Sequence, residues 1–504
     1  MQTNDRQTMQ TNDRQTIDPQ VMQTNDPQAP EANDPLQRDD IQGFLLSAYA
    51  HLPFAAFLLL SIGDPESARR WLADFSGTVT NATAKDPHRS VNIALTRDGL
   101  TRLGLPQHVL ATFAFAFNEG MVDPHRSRIL GDVGANDPQR WDWGAHGSID
   151  VLVMLYGVDD ATVDSLVADI EPGMSAASLT VGRTFRSQTD PQGREQFGFK
   201  DGTGQPVIAG SGNRQHQFAR TGHATELPPG EFLLGHPNLY DLPSESPTVA
   251  PADDPAGILG ASRDLGYNGT YLVFRQLEQD VPRFWNFVDT QAALLGMSPI
   301  DLASKFVGRW PNGAPLVLTD EPDSEKLIDA NNFTYEGDDP NGLRCPLGAH
   351  IRRANPRDVN GLDPKTKLPL ANLHRIMRRG RSYGKRIDDP TAGPDEKRGL
   401  HFMCFNADLE RQFELVQQAW INNPIFSGLS AEVDPLVGNI ARGDGTFTVQ
   451  ETPLRRRVDA MQQFVTVRGG SYFFVPSFRA LRFLSRLGEG DTFSRPPSTS
   501  PTAT

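Results

Sequence analysis

The sequence predicts an α+β fold in which two domains each combine an antiparallel sheet with helices. At 504 residues the chain exceeds the usual size of one hydrophobic core, so two domains are expected. Segments with strand periodicity lead into segments with helix periodicity in both halves, as in α+β folds. A stretch rich in Gly, Pro and polar residues at 209–230 separates the halves. The domains are therefore predicted to span 39–220 and 221–490.

In the first half, Asp64 and Pro65 are typical of a helix start, because apolar residues follow them at helical spacing. Alternating apolar residues predict strands at 91–95 and 151–155, and a helix is predicted after each of them. The apolar run at 54–62 is nine residues long, whereas a membrane span needs roughly 20. This run is therefore predicted to be a buried strand or a core helix.

In the second half, a strand at 271–276 leads into a long helix, and a strand at 400–405 leads into a helix that carries Trp420. The two ends of the chain, 1–38 and 491–504, are predicted to be disordered. They contain too few bulky apolar residues to offset the entropy of ordering, and the first one repeats short polar motifs.

Charge and cysteine content exclude several classes of function. The net charge of −14 argues against a general nucleic-acid-binding protein, since phosphate contacts need clustered Lys and Arg. Cys345 and Cys404 are the only cysteines, so the chain has neither a disulfide framework nor a thiolate metal site. We expect two free buried thiols, with one bridge between them as the alternative. The N-terminus shows no conventional signal peptide.

The segment from Cys345 to Asp358 places one histidine among small and basic residues. His350 follows Gly348 and Ala349, which let a flat ligand approach closely. Hydrogen-bond donors able to hold carboxylates follow it, namely Arg352, Arg353, Asn355 and Arg357. A neutral imidazole near an apolar plate and anionic groups suits haem, because iron takes the nitrogen and arginines take the propionates. For the other histidines, a structural or surface role is expected.

Two further segments combine charged residues with glycine turns. Asp201 precedes Gly202, Thr203 and Gly204, a sequence typical of a tight loop. Taken by itself, this segment favours a surface turn with a solvated aspartate. Arg378 follows an apolar pair and precedes a second arginine and a glycine, and the alternative for this segment is a basic edge strand.

The three segments resemble the signatures of the dye-decolorizing peroxidases. They read "GFKDG" at 198–202, "AHIRRANPR" at 349–357 and "RIMRRGRSYG" at 375–384. Three later stretches resemble the family too, namely "LHFMCFNADLERQFELVQQAW" at 400–420, "DPLVG" at 434–438 and "RGGSYFFVPS" at 468–477. The resemblance covers about residues 40–490, and the chain length is similar to that of the larger fungal members. It implies two ferredoxin-like domains, with haem b held mainly by the C-terminal one.

The resemblance also implies the roles of the main site residues. His350 matches the proximal ligand of the haem iron, and Asp201 matches the distal acid. Arg378 matches the distal arginine, in preference to Arg379, because it comes directly after the apolar pair.

Four more residues are implied to contact the haem or its ligand. Leu400 and Phe402 are expected over the distal haem face. Arg309 is expected to reach a propionate. Asp434 is expected to accept the second imidazole proton, which makes the iron ligand more basic.

The implied enzyme reduces hydrogen peroxide and oxidises dyes, phenols and other aromatic donors in one-electron steps. Its pH optimum is expected to be acidic, because a carboxylate with a pKa of about 3.9 stays a base where a histidine, at about 6.5, is protonated. Fungal relatives suggest Trp420 and Tyr383 as surface residues that carry electrons from bulky donors. Ordinary packing is the alternative for both.

An exposed Mn²⁺ site is a further hypothesis. Glu336, Asp338, Asp339 and Asp358 offer oxygen ligands, which hard cations prefer. A solvated cluster of charges is the alternative. Fungal members are often secreted, so an extracellular location is expected, with a cytoplasmic one as the alternative.

Two other functions compete with the peroxidase hypothesis. A phosphoryl-transfer loop built on Asp201 normally carries a second acid two residues later, where Thr203 stands here. A haem-binding or haem-handling protein could use the same pocket, but it has no need of a base and an arginine opposite the iron ligand.

Overall fold

The computed structural model describes residues 36–147, 149–212, 225–322, 324–328, 330–363, 369–385, 397–440 and 444–488. The predicted disordered ends lie outside these residues except for positions 36–38, and so does the centre of the predicted domain boundary. Leu36, which the prediction included in the N-terminal tail, is buried in the core. The division of the chain into two domains stays a prediction.

Thirteen strands form in the described part of the chain. They are β1 Phe54–Ile62, β2 Arg89–Leu95, β3 Val151–Gly157, β4 Leu179–Gln188, β5 Val207–Ile208, β6 Glu226–Leu227, β7 Thr270–Gln279, β8 Met377–Arg378, β9 Arg381–Tyr383, β10 Gly399–Asn406, β11 Gly445–Val449, β12 Arg456–Met461 and β13 Val465–Val475. Nine of them form one sheet in the order β4-β1-β3-β2-β13-β7-β10-β8, with β9 also paired to β10. All the pairings in this sheet are antiparallel.

The predicted strands are confirmed, and the sheet keeps the two halves of the chain side by side. Strands from the first half occupy one side and strands from the second half the other, and the two groups meet where Phe474 of β13 pairs with Leu95 of β2. The apolar run at 54–62 is β1, which lies between β3 and β4 and is buried along most of its length. A strand covered on both faces needs a continuous apolar run, which explains its composition.

The helices are mostly short. The α-helices are Gly43–Leu46, Pro65–Ser76, Arg97–Arg102, Gln107–Leu110, Phe115–Glu119, Pro124–Leu130, Asp160–Ala176, Val281–Leu295, Pro299–Val307, His350–Ala354 and Phe478–Ser485. The 3₁₀ turns are Gly134–Asn136, Pro138–Arg140, Pro229–Glu231, Glu325–Leu327, Leu370–His374 and Phe426–Gly428. In the described residues, no helix combines the length and the apolar character needed to cross a membrane.

Two helices show how the sequence predictions compare with the structure. The helix predicted at Asp64 begins there, because the Asp64 carboxylate accepts a hydrogen bond from the Ser67 amide at 2.8 Å and Pro65 occupies the first turn. The helix predicted after β10 is wound as a π-helix over Glu410–Glu414 and Val416–Ile421. This winding is rare and frequently occurs at functional sites.

Strand β10 separates two apolar layers, because successive side chains point to opposite faces of a sheet. Phe402 and Cys404 pack with Phe413 on one face, while Met403 and Phe405 pack in the core on the other. Cys404 is buried and free, like Cys345, so the predicted free thiols are confirmed. The face that carries Phe402 forms one wall of the candidate site.

Candidate active site

A cavity lies between the Phe402 face of the sheet and the helices on that side. Its lining includes eight residues that the sequence analysis selected, namely Asp201, Arg309, His350, Asn355, Arg357, Arg378, Leu400 and Phe402. Apolar side chains from β7, β10 and β13 cover much of the sheet side, among them Leu277 and Val467. The chain thus brings one imidazole, one carboxylate and several guanidinium groups to an apolar cavity.

His350 is held from behind by a buried carboxylate. It is the first residue of the helix His350–Ala354, and its Nδ1 lies 2.9 Å from Oδ2 of Asp434, which is fully buried. The other oxygen of Asp434 accepts hydrogen bonds from the amides of Leu436 and Val437, each at 2.9 Å. The carboxylate therefore places the imidazole proton on Nδ1 and leaves the lone pair on Nε2.

The electrostatics of this pair favour a basic imidazole. Burial by itself lowers the pKa of His350, but the Asp434 carboxylate outweighs burial and the net pKa is raised. Burial raises the pKa of Asp434, but the charge and hydrogen bond of His350 outweigh it and the net pKa is lowered. The two groups thus stabilise an ionised carboxylate beside an electron-rich ring nitrogen.

Asp201 and Arg378 form a second pair on the same cavity. Nη1 of Arg378 donates to Oδ1 of Asp201 at 3.0 Å, and Nη2 donates to the Thr203 carbonyl at 3.0 Å. The loop needs glycine on either side of Thr203, because Gly202 and Gly204 have φ values of +83° and +74°. The Asp201 carboxylate is 37% exposed, so a small molecule in the cavity can reach it.

The neighbouring Arg379 points away from this pair. Its guanidinium is buried and donates to the carbonyls of Phe44 and Leu45, each at 3.1 Å. Arg378 thus faces the cavity, whereas Arg379 fastens the N-terminal segment to the sheet. Their opposite directions follow from the alternation of side chains along a strand.

Three more arginines, Arg309, Arg357 and Arg375, also line the cavity. They donate to carbonyl and amide oxygens: Arg309 to Gly313 at 2.8 Å, Arg357 to Asn331 at 2.8 Å and Arg375 to Gly204 at 2.5 Å. Within the described residues, no carboxylate forms an ion pair with any of the three. The cavity therefore has a cationic end that no carboxylate of the described residues neutralises.

Burial and mutual repulsion destabilise these charges. Burial, followed by the charge of Arg357, lowers the pKa of Arg309 to about 10. Burial, followed by the charges of Arg357 and Arg378, lowers the pKa of Arg375 to about 9. An anionic ligand at this end relieves the repulsion, and the carboxylates of a porphyrin supply that charge. The arginines, the apolar wall and the free imidazole nitrogen together fit haem.

Only some of the polar residues predicted to surround a ligand at His350 line the cavity, and one arginine that lines it was not predicted. Arg357 and Asn355 line the cavity, but Arg352 and Arg353 do not. Arg353 donates to the carbonyls of Trp420, Asn423 and Glu432, and Arg352 to those of Asp339 and Cys345. Arg375 was missed, because nothing in its motif distinguishes it from the arginines that follow.

Trp420 and Tyr383 are not surface residues, so that part of the prediction is wrong. Their exposed fractions are 6% and 9%. The Trp420 ring packs edge-on against His374 at 5.3 Å, inside an apolar cluster beneath the helix. The Tyr383 ring stacks on His401 at 4.5 Å, because β9 pairs with β10. Neither ring lines the cavity.

The four carboxylates of the Mn²⁺ hypothesis do not converge on an exposed site. Asp339 is buried, with its oxygens on the Cys345 and Arg344 amides. Asp338 accepts hydrogen bonds from Thr334, and Asp358 accepts them from the backbone amides of Tyr335 and Glu336. The side-chain carboxylate of Glu336 takes part in none of these hydrogen bonds. Across the described ranges, no group of three or more His, Cys, Asp or Glu side chains could hold a metal ion.

Comparison with known proteins identifies the family. No family model matches the chain. The multifunctional dye peroxidase DyP2 of an Amycolatopsis species is 30% identical over 475 residues, which cover 88% of this chain and 95% of that protein. Dye-decolorizing peroxidase AauDyP1 of the fungus Auricularia auricula-judae is 31% identical over 88% of this chain and 86% of that protein.

Solved structures give the same result for the fold. A DyP-type peroxidase of Anabaena has a TM-score of 0.74 and 25% identity over 89% of this chain and 94% of that one. AauDyP in complex with imidazole has a TM-score of 0.73 and 27% identity over 89% of this chain and all of the other. The predicted ferredoxin-like α+β class is thereby confirmed. With this similarity along most of its length, the chain belongs to the dye-decolorizing peroxidases, haem enzymes of class EC 1.11.1.19.

Proposed function

We propose that the chain is a haem b peroxidase in which His350 binds the iron and the Asp201–Arg378 pair acts on hydrogen peroxide. The observation that carries the proposal is the placement of an imidazole backed by a carboxylate and an acid–arginine pair on one apolar cavity. The relatives named as dye peroxidases support the same activity on dyes.

Several residues are suited to hold the haem. Nε2 of His350 is the iron ligand in this proposal, and Asp434 keeps that ring oriented and basic. Arg309, Arg357 and Arg375 bind the propionates, since they are the cavity's unmatched cations. Leu400 and Phe402, which line the same cavity, would pack against the haem and limit access of water. When bound, haem supplies an iron centre that accepts electrons from donors and passes them to peroxide.

Asp201 serves as the proton carrier in this proposal. With haem bound, hydrogen peroxide would have to lose a proton from one of its oxygens and gain one on the other for its O–O bond to break. A carboxylate placed beside both positions takes the proton and returns it, which lowers both barriers. Arg378 remains charged throughout, so its guanidinium stabilises negative charge on the departing oxygen.

An acidic pH optimum follows from the use of a carboxylate as this base. Carboxylates with a pKa near 3.9 remain ionised at a pH where imidazole, with a pKa near 6.5, is already protonated. The test is a pH profile for the reaction with peroxide in the wild type and in Asp201→His. The wild type is expected to peak at acidic pH and the variant at higher pH. A wild-type maximum at neutral or alkaline pH with every donor contradicts the role of Asp201.

Bulky donors are proposed to deliver electrons through Trp420 or Tyr383 rather than by entering the cavity. Since both rings are buried, each would act as an internal step and not as the surface contact. Oxidation of Mn²⁺ stays a prediction from the sequence, and the four carboxylates first considered for it give it no support.

A haem-handling protein is the competing function, and one experiment separates the two. The chain is reconstituted with haem and mixed with one equivalent of hydrogen peroxide, followed by a phenol. A peroxidase changes its absorption spectrum and returns to the starting spectrum when the phenol is oxidised. A carrier instead loses haem absorbance and leaves the phenol unchanged, and this result overturns the proposal.

A further inference from the structure

Tyr472 is a buried tyrosine whose hydroxyl donates to a carboxylate. It lies on β13 and is 2% exposed, and its Oη donates to Oε1 of Glu414 at 2.7 Å. Glu414 is itself 3% exposed and belongs to the π-helical segment Glu410–Glu414. Burial, then the Glu414 carboxylate, raises the pKa of Tyr472 well above its usual value, so the phenol is neutral.

The other end of Glu414 is tied to a charge network that reaches solvent. Nη1 of Arg126 donates to Oε2 of Glu414 at 2.6 Å, and the same guanidinium binds Glu119 at 2.6 Å and Glu410 at 2.7 Å. The Glu119 and Glu410 side chains are 25% and 48% exposed. One guanidinium thus faces three carboxylates, and a proton taken up by Glu414 reduces the excess of negative charge.

The Tyr472–Glu414 pair lies directly behind a wall of the haem cavity. Arg275 and Phe413 both line the cavity, and the Arg275 guanidinium lies 6.0 Å from the centre of the Phe413 ring. Glu414 follows Phe413 in the chain. On β13, Gly470 pairs with Arg275, and Tyr472 is two residues further on and therefore on the same face of the sheet.

All eight tyrosines lie in the described residues, and among them only the Tyr472 hydroxyl donates a hydrogen bond to a carboxylate. The Tyr271 hydroxyl accepts a hydrogen bond from the Ala114 amide at 2.9 Å. The hydroxyls of Tyr335 and Tyr383 are buried without a carboxylate partner. This difference matters because a phenol that loses an electron becomes a strong acid, so a carboxylate that takes its proton makes the oxidation easier.

We infer that Tyr472 is an internal electron donor of the peroxidase, coupled to proton transfer to Glu414. The inference rests on the proposed function, because the oxidising equivalents come from the reaction of hydrogen peroxide at the haem. Tyr472 loses one electron, the haem centre gains it, and the phenolic proton moves to Oε1 of Glu414. An aromatic donor then returns the electron, and Glu414 returns the proton to the tyrosyl oxygen.

The test uses holoenzyme mixed with one equivalent of hydrogen peroxide and frozen within milliseconds. Electron paramagnetic resonance of protein with ring-deuterated tyrosine identifies a tyrosyl radical by the loss of its proton hyperfine splitting. The signal is expected in the wild type and absent in Tyr472→Phe. Tyr271→Phe is the matched control, since it removes another buried hydroxyl without a carboxylate partner, and it keeps the signal. Glu414→Gln keeps a hydrogen-bonding oxygen but loses the base, so formation of the radical slows by at least about 10²-fold.

The possible outcomes separate this inference from the proposed function. A haem spectrum that does not respond to peroxide contradicts the proposed function itself. A haem spectrum that responds, with no tyrosyl signal or with an unchanged signal in Tyr472→Phe, overturns the role of Tyr472. If that variant does not fold, high-field spectra of the wild type in D₂O decide instead. A radical without a hydrogen-bonded deuteron excludes Tyr472. A radical with one supports Tyr472 when the signal is kept in Tyr271→Phe, because the Tyr271 oxygen also has an exchangeable donor in the Ala114 amide.

Discussion

Nη1 of Arg378 and Oδ1 of Asp201 lie 3.0 Å apart, although 176 positions of the chain separate the two residues. The same guanidinium holds the Thr203 carbonyl, and the Asp201 amide donates to the Gly193 carbonyl at 2.8 Å. Hydrogen bonds thus hold both the backbone and the side chain of Asp201 in place before any substrate binds. If Asp201 carries the proton as proposed, it needs no rearrangement during the reaction.

Replacing Asp201 with asparagine removes the base and keeps the shape of the side chain. The Asp201→Asn variant is expected to react with hydrogen peroxide about 10²–10⁴-fold more slowly, because it cannot take up the proton. Stopped-flow absorbance of the haem measures this rate, and haem content checks that the site is intact. A rate within a factor of two or so of the wild type would exclude Asp201 as the proton carrier.

Much of this arrangement could be predicted from the sequence, and the remainder depends on side-chain direction. Apolar alternation predicts the strands. The small residues before His350 and the arginines after it predict a ligand site at that histidine. The choice between Arg378 and Arg379 needed the resemblance to a family. The role of Arg375 in the cavity and the burial of Trp420 could not be predicted, because both depend on how segments far apart in the chain pack together.

If His350 binds the iron as proposed, its hydrogen bond to Asp434 predicts how that ligand is tuned. In Asp434→Asn the ring loses its carboxylate partner, so the imidazole is less basic and stabilises ferric iron less. The ferric/ferrous potential is expected to rise, and haem affinity or turnover to fall about 10–100-fold. Spectroelectrochemistry measures the potential, and the asparagine oxygen can still accept the Leu436 and Val437 amides. An unchanged potential would mean that Asp434 does not control the ligand.

The cluster of Arg309, Arg357 and Arg375 predicts opposite effects on the apoprotein and the holoprotein. In Arg375→Met the repulsion among like charges is reduced, so the urea midpoint of the apoprotein is expected to stay the same or to rise. Haem binding is expected to weaken by about 1.5–3 kcal/mol, or about 10–150-fold, since one charge-assisted hydrogen bond to a propionate is lost. Haem titration and urea unfolding of both forms measure the two effects.

Arg353→Met is the control for this prediction. Its guanidinium donates to three backbone carbonyls, whereas that of Arg375 donates to the Gly204 carbonyl. The Arg353→Met variant is therefore expected to lose stability in both forms. If Arg375→Met makes the apoprotein less stable, repulsion among the three arginines does not destabilise it, and the prediction is wrong.

The buried position of Trp420 makes a selective prediction about substrates. If its ring carries electrons from bulky donors, Trp420→Phe loses turnover of a large dye but keeps that of a small phenol that enters the cavity. Steady-state rates with both donors measure the ratio. Trp285→Phe is the control, since Trp285 is also largely buried but packs in a separate cluster. An equal loss with both donors would assign Trp420 to packing.

His401 predicts a limit to stability at the acidic pH proposed for activity. Its ring is 1% exposed, Nδ1 lies 2.6 Å from the Ser187 hydroxyl, and burial lowers the pKa of His401 from 6.5 to about 3. Between these two values the unfolded chain binds a proton that the folded protein does not. The free energy of unfolding therefore falls as the pH drops from about 6.5 towards 3, by up to about 1.4 kcal/mol per pH unit.

A double substitution tests this prediction without leaving a polar group unpaired. In His401→Phe with Ser187→Ala, the new ring packs among Phe57, Phe185 and Phe274, which already surround the imidazole. Urea unfolding is measured at pH 7 and at pH 4. The free energy of unfolding of the wild type is expected to fall more between pH 7 and pH 4 than that of the variant, because the variant no longer has this titrating group. An equal fall in both proteins would show that His401 does not set the acid limit.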